Sequence, residues 1–246
     1  MSKIYRALER VEEHRGGGGA AVLSHPGPSA DSSRHTAPET PEYERLATAI
    51  AHAKVTSTFK SIMIASPDHG EGTSTVAAGL ALSLARRGEQ VVVLVEANFR
   101  SPVLGAMLHV EPSAGLAEVL AGQTSLAEAV VPTDATGVRL LAAGTPSASS
   151  ARLLESARFT AVLEDLGSTA DVIVVDGPPV LPYADALTIA SKVDRVVVVT
   201  QADRTQRGHL ERSKEELEKS GATILGVVLN RKSSHAPPWI TRRFNL

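Results

Sequence analysis

The stretch "IASPDHGEGTSTVAAGLALSLA", Ile64 to Ala85, decides how the rest of the chain is read. An apolar strand end runs into a glycine-containing turn, and the turn opens a helix that begins on hydroxyl residues. Gly70 and Gly72, on either side of Glu71, let the backbone curl until successive N–H groups converge on one anion. The helix N-terminus adds its own positive field. Ser74 or Thr75 then offers a hydroxyl to Mg²⁺. Measured against the phosphate-loop pattern G-x-x-x-x-G-K-[ST], the chain has Pro67 for the first glycine and matches at Gly72 and Ser74. Thr73 stands where the lysine belongs. Alone, the segment reads equally well as an ordinary strand-to-helix turn.

The flanking sequence supplies a sheet for that turn to sit on. "SIMIAS", "QVVVLVEA", "VRLLAAG", "DVIVVDGPP", "DRVVVVTQ" and "TILGVVLN" are short, nearly all-apolar runs, as expected of parallel strands covered on both faces. Helical patterns lie between them: Ser74 to Arg87 with Gly88 as its stop, Ala151 to Leu166, Tyr183 to Ser191, and Gln206 to Ser220. Pro102 to Val131 reads as short helices broken by turns. "EYERLATAIAHA" precedes the first strand as a helix with Leu46, Ala47 and Ile50 on one stripe. Alternating strands and helices predict an α/β fold, a doubly wound and mostly parallel sheet flanked by helices.

Four segments follow. Residues 1–15 have Ile4, Leu8 and Val11 at helical spacing and predict an amphipathic N-terminal helix. Residues 16–41, rich in Gly, Ser, Pro and Ala, predict a flexible linker. Residues 42–231 form the phosphate-loop domain, and residues 232–246 a basic irregular tail. Trp239 and Phe244 stand among Arg231, Lys232, Arg242 and Arg243, a composition suited to an anionic lipid surface or a membrane partner. The net charge of −2 argues against a general nucleic-acid binder, and the lack of cysteine excludes thiolate chemistry. No secretory h-region opens the chain, and no apolar run approaches the roughly 18 residues that span a bilayer. A cytoplasmic protein is expected. His69 and His109 belong to no cluster with metal-ligand spacing and read as loop histidines.

Two more strand ends carry chemistry. Glu96, Asn98 and Arg100 follow the second strand, and Asp176 follows the strand "VIVVD". In an open α/β sheet, ligands bind in the crevice beyond the carboxyl ends of the strands. A phosphate loop and two acidic strand ends at that edge predict a site for ATP or ADP with Mg²⁺. Ser74, Glu96 and Asp176 are the candidate metal ligands.

From Glu42 to Arg231 the chain resembles the bacterial tyrosine kinases (BY-kinases) of capsule and exopolysaccharide synthesis, relatives of the MinD/ParA ATPases. "HGEGTST" is similar to the family loop PGEGKST. "EANFRSP" is similar to its D-x-D-x-R-x-P motif, and "VIVVDGPP", followed by "YADAL", to its Walker B segment. "GVVLN" resembles the strand whose final Asn reads the adenine, which implies Asn230, with Arg231 beside it, on the base side. Glu96, Arg100 and Asp176 are the implied catalytic residues, and Gly70 to Thr75 the phosphate cradle.

The departures fall on the chemistry. Thr73 replaces the loop lysine, Glu96 and Asn98 replace two Asp, and the only tyrosines are Tyr5, Tyr43 and Tyr183, leaving no tyrosine cluster in the tail. The family's self-assembly pattern E-x-x-R-x-x-R reads Pro41, Glu44 and Ala47. The resemblance therefore implies a catalytically impaired, pseudokinase-like regulator of a membrane polysaccharide co-polymerase, peripheral to the inner membrane through that partner. A catalytically complete homologous kinase and further copies of the chain are the other implied partners. An active tyrosine kinase, with Arg100 or a neighbouring protomer supplying the missing cation, and a MinD/ParA-like ATPase switch are the alternatives.

Overall fold

The apolar runs assemble side by side into one sheet. The computed structural model describes residues 21–22, 40–88, 90–147 and 150–231. The N-terminal helix expected over residues 1–15 and the basic tail of residues 232–246 lie outside them, as does most of segment 16–41. Within that segment Ala21–Val22 forms a short strand, β1, paired in parallel with Val228 and Leu229. Here the chain departs from the linker expectation, because the last parallel strand leaves an edge of unpaired amides that an extended segment can cover.

The domain proper runs α1 (Pro41–Thr56), β2 (Ser61–Ala65), α2 (Thr73–Arg86) and β3 (Val92–Glu96). Next come α3 (Leu104–Met107), α4 (Leu116–Ala121), α5 (Leu126–Ala129), β4 (Val130–Pro132) and β5 (Val138–Leu141). The chain continues through α6 (Ser150–Glu155), α7 (Ala157–Thr169), β6 (Val172–Asp176), α8 (Ala184–Ala190), β7 (Arg195–Gln201), α9 (Arg207–Lys219) and β8 (Ile224–Asn230). The strand order is β1-β8-β7-β2-β6-β3-β5-β4, parallel except for β4 against β5. Among the described residues, no helix is long and apolar enough to cross a membrane.

Alternation along each strand splits the core into two layers. Ile62, Ile64, Leu94, Val174 and Val197 pack with α1 and α2, whereas Met63, Val93, Val95, Ile173 and Val175 pack with α7 and α8. The stripe Leu46, Ala47 and Ile50 is buried as read. Gly79 lets α2 meet the Tyr43 ring, since a Cβ there would stand 2.7 Å from its carbons.

Two expectations are corrected. The single helix expected from Ala151 to Leu166 breaks at Ser156, whose backbone turns extended while its hydroxyl donates to the Leu153 carbonyl. Such a local side-chain bond competes with helix continuation. Lys192 Nζ donates to the carbonyls of Leu154 and Ser156, at 2.7 Å each, which supports the break. Near Val131 the expected run of helices ends instead in the antiparallel edge strand β4, where Pro132 is tolerated because it needs no ladder donor.

Candidate nucleotide site

The phosphate loop leaves the carboxyl end of β2, flanked in the sheet by β7 and β6. Gly70 and Gly72 take left-handed conformations, φ 77° and 92°, and Gly72 is the N-cap of α2. That helix has neither a side-chain cap nor an acidic residue in its first turn. Its N-terminal amides therefore face the loop with no built-in anion, the arrangement that favours a bound phosphate.

Asp176 ends β6 in register with Ile64 on one side and Glu96 on the other. Its side chain is fully buried, and neither carboxylate oxygen has a hydrogen-bond partner. Burial pushes its carboxyl up to about 8, reinforced by the charge of Glu96. The nearby Ser74 hydroxyl favours the ionised form without closing a bond. An orphaned carboxyl beside an uncapped helix N-terminus fits a cation held between it and a phosphate group.

Glu96, expected to share a metal with Asp176, lies beside it in the sheet but spends its carboxylate on backbone amides. One oxygen accepts the amides of Val103 and Leu104, at 2.5 and 2.6 Å, and the other accepts the Ala143 amide at 3.0 Å. The carboxylate thus tethers the start of α3 and the loop after β5, where it lines a cavity of about 200 Å³ with Pro102, Val103 and Gly144.

Thr73 also turns away from the cradle. Its hydroxyl donates to Ser66 Oγ at 2.9 Å, and that hydroxyl donates to the Asp68 carbonyl. Glu71 is buried. Its carboxylate accepts from the Thr205 hydroxyl and the Asp68 amide, so its side chain braces the loop from within. Burial raises its carboxyl above the ordinary range, with those two donors opposing the shift. Thr75 is half-buried in the first turn of α2.

Arg100 lies across the crevice. Its guanidinium pairs with Asp185 at 2.8 Å and stacks 3.9 Å above the Tyr183 ring, whose edge meets His69. That charge is already engaged. Asn98 follows β3, and its buried Oδ1 has no hydrogen-bond partner. Asn230, at the end of β8, donates from Nδ2 to the Glu71 carbonyl at 2.9 Å and accepts the Arg231 amide through Oδ1. A Cβ at Gly72 would stand 2.2 Å from Asn230 Nδ2, so the glycine is required for this approach as well as for its φ.

The turn after β7 and the start of α9 bring Arg204, Thr205 and His209, which the sequence reading did not single out, beside the expected Arg231. Arg204 and Arg231 each place Nη1 3.3 Å from the Gly70 carbonyl, Thr205 holds Glu71, and His209 Nδ1 pairs with Asp68. A signal was present: "VVVVTQADRTQRG" is another apolar strand running into polar residues at the same sheet edge.

The family described as "ParA: NUBPL iron-transfer P-loop NTPase" matches residues 57–241. The tyrosine-protein kinase CpsD of Streptococcus agalactiae is 35% identical over 173 residues, which cover 70% of this chain and 75% of CpsD. The chain belongs to the BY-kinase family. Its BY-kinase fold matches the kinase domain of the Escherichia coli tyrosine kinase ETK with a TM-score of 0.82 at 22% identity. That match covers 96% of this chain and 98% of ETK's. MinD of Pyrococcus horikoshii, complexed with Mg-ADP, matches with a TM-score of 0.63 at 26% identity, over 75% of this chain and 76% of that one. The BY-kinase domain is thus built on a MinD/ParA-like phosphate-loop sheet.

Proposed function

We propose that this BY-kinase homologue binds ATP or ADP but is impaired in phosphoryl transfer. It acts in exopolysaccharide or capsule synthesis as a cytoplasmic regulator of a membrane polysaccharide co-polymerase, held near the inner membrane by that partner. One observation carries the reading: the Glu96 carboxylate is spent on three backbone amides while the Thr73 hydroxyl, in the lysine's place, is bonded to Ser66. The amides around Gly70 and Gly72 would cradle phosphate oxygens, with Asn230 on the base side and Arg231 beside the loop at Gly70. Ser74 and Asp176 would hold Mg²⁺, which supplies positive charge against the phosphates.

Phosphoryl transfer relies on charge stabilisation and on positioning of the nucleophile. The loop has lost its cation, Asn98 is a poor proton acceptor, and Glu96 is committed elsewhere. Of the described tyrosines, Tyr43 is buried in the core, and Tyr183 is half-buried with the Arg100 guanidinium stacked on its ring. Binding without transfer is what these residues support.

Titration with a fluorescent ADP analogue, with and without Mg²⁺, followed by an autophosphorylation assay on the purified protein, tests the reading. Saturable binding without phosphotyrosine is expected. Phosphotyrosine on the pure protein would instead establish an active kinase, the reading supported by the names of the relatives. Steady ATP hydrolysis without phosphotyrosine would point to a MinD/ParA-like switch.

A further inference from the structure

We infer that Arg204 and Arg231 form a cationic clamp beside the phosphate loop that takes over phosphate binding from the missing loop lysine; this rests on the nucleotide-binding reading above. Both side chains come from the same flank of the loop, one from the turn after β7 and one from the end of β8. Both guanidiniums converge on the same two acceptors. Arg204 Nη1 lies 3.3 Å from the Gly70 carbonyl and 3.4 Å from Gln201 Oε1, and Arg231 Nη1 lies 3.3 Å from each.

These bonds are long and run to neutral oxygens, so they leave most of each five-donor fork unused. Glu71 attracts Arg204 from inside the loop, but its oxygens are already taken by Thr205 and Asp68. Holding two like charges over one carbonyl and one amide costs energy that an incoming polyanion would recover. The backbone is held to this purpose: Arg231 itself and Asp203, next to Arg204, adopt left-handed conformations, φ 54° and 59°, that non-glycine residues rarely take.

The same loop opens onto the uncapped amides of α2, and the partnerless, fully buried Asp176 ends β6, the strand on the other side of β2. Amides for phosphate oxygens, a carboxyl for a cation and two exposed forks for the remaining charge make a complete polyphosphate site. Arginine suits the role because its planar fork binds phosphate bidentately.

The test measures binding of mant-ADP, mant-adenosine and inorganic tripolyphosphate to wild type, Arg204→Gln, Arg231→Gln, the double variant and Arg204→Lys. Each single glutamine variant should weaken mant-ADP about tenfold, the loss of one charge-assisted contact. The double variant should lose more, Arg204→Lys should recover part of the loss, and mant-adenosine should be unaffected. A double variant that binds mant-ADP like wild type overturns the clamp, as does equal weakening of mant-ADP and mant-adenosine. If wild type binds tripolyphosphate but no nucleotide, the nucleotide reading fails. The clamp then stands if the double variant loses tripolyphosphate and falls if it does not. Binding of neither nucleotide nor tripolyphosphate by wild type overturns both.

Discussion

Replacing Asp176 with asparagine should stabilise the ligand-free protein at neutral and alkaline pH. The carboxyl is fully buried, has no hydrogen-bond partner and is pushed up to about 8 from an ordinary 3.8. A raised folded-state pKa means that the native protein binds a proton the unfolded chain releases. The stabilisation is complete below about pH 4 and is lost as pH rises toward about 8, at roughly 1.4 kcal/mol per pH unit. At pH 7 the accumulated loss is about 4 kcal/mol. Asparagine removes this term, but leaves a buried amide that costs about 1–3 kcal/mol where its bonds are unmade. A net gain of about 1–3 kcal/mol at pH 7 remains, a rise in Tm of roughly 3–10 °C for a chain of this size. Thermal denaturation from pH 5 to 8.5, in EDTA and without nucleotide, checks this. Wild type should lose stability with rising pH more steeply than Asp176→Asn. Parallel slopes, or a variant less stable than wild type at pH 8, would refute the argument that Asp176 is an uncompensated buried acid.

Other perturbations probe the neighbouring groups. Glu96→Gln should cost about 2–3 kcal/mol in chemical denaturation, because an amide oxygen cannot replace a carboxylate accepting three amides. If it instead spares stability and abolishes Mg²⁺-dependent binding, Glu96 returns to the metal site. Gly72→Ala combines a φ of 92° with a Cβ 2.2 Å from Asn230 Nδ2. It should cost about 1–3 kcal/mol and abolish mant-ADP binding, and a variant that binds normally would contradict the role of that glycine. Thr73→Lys should tighten ATP about tenfold by restoring one charge-assisted contact. An unchanged affinity would mean that the loop is closed to phosphate.

Much of this architecture is legible in the residues. Buried parallel strands leave apolar runs such as "SIMIAS" and "VIVVD", and a phosphate loop is local in sequence, so strands, crevice and loop follow from pattern alone. The break at Ser156 was hidden because its stabilising partner, Lys192, lies 36 residues on. The strand Val130–Pro132 was not expected because edge position is a property of the sheet, and the sheet is not visible along the chain.

The sequence by itself determined the fold, the loop's place in it and the loss of the lysine, since each depends on residue type and short-range spacing. Only the tertiary structure decided where the carboxylates and cations point. Glu96 accepts an amide 47 residues away, and Arg204 and Arg231 reach Gly70 across 134 and 161 residues. Those separations are closed by strand order: β7 adjoins β2, β8 lies beyond it, and β6 sits between β2 and β3. Hydrogen bonding and charge then act at a few ångströms, a range over which sequence distance says nothing.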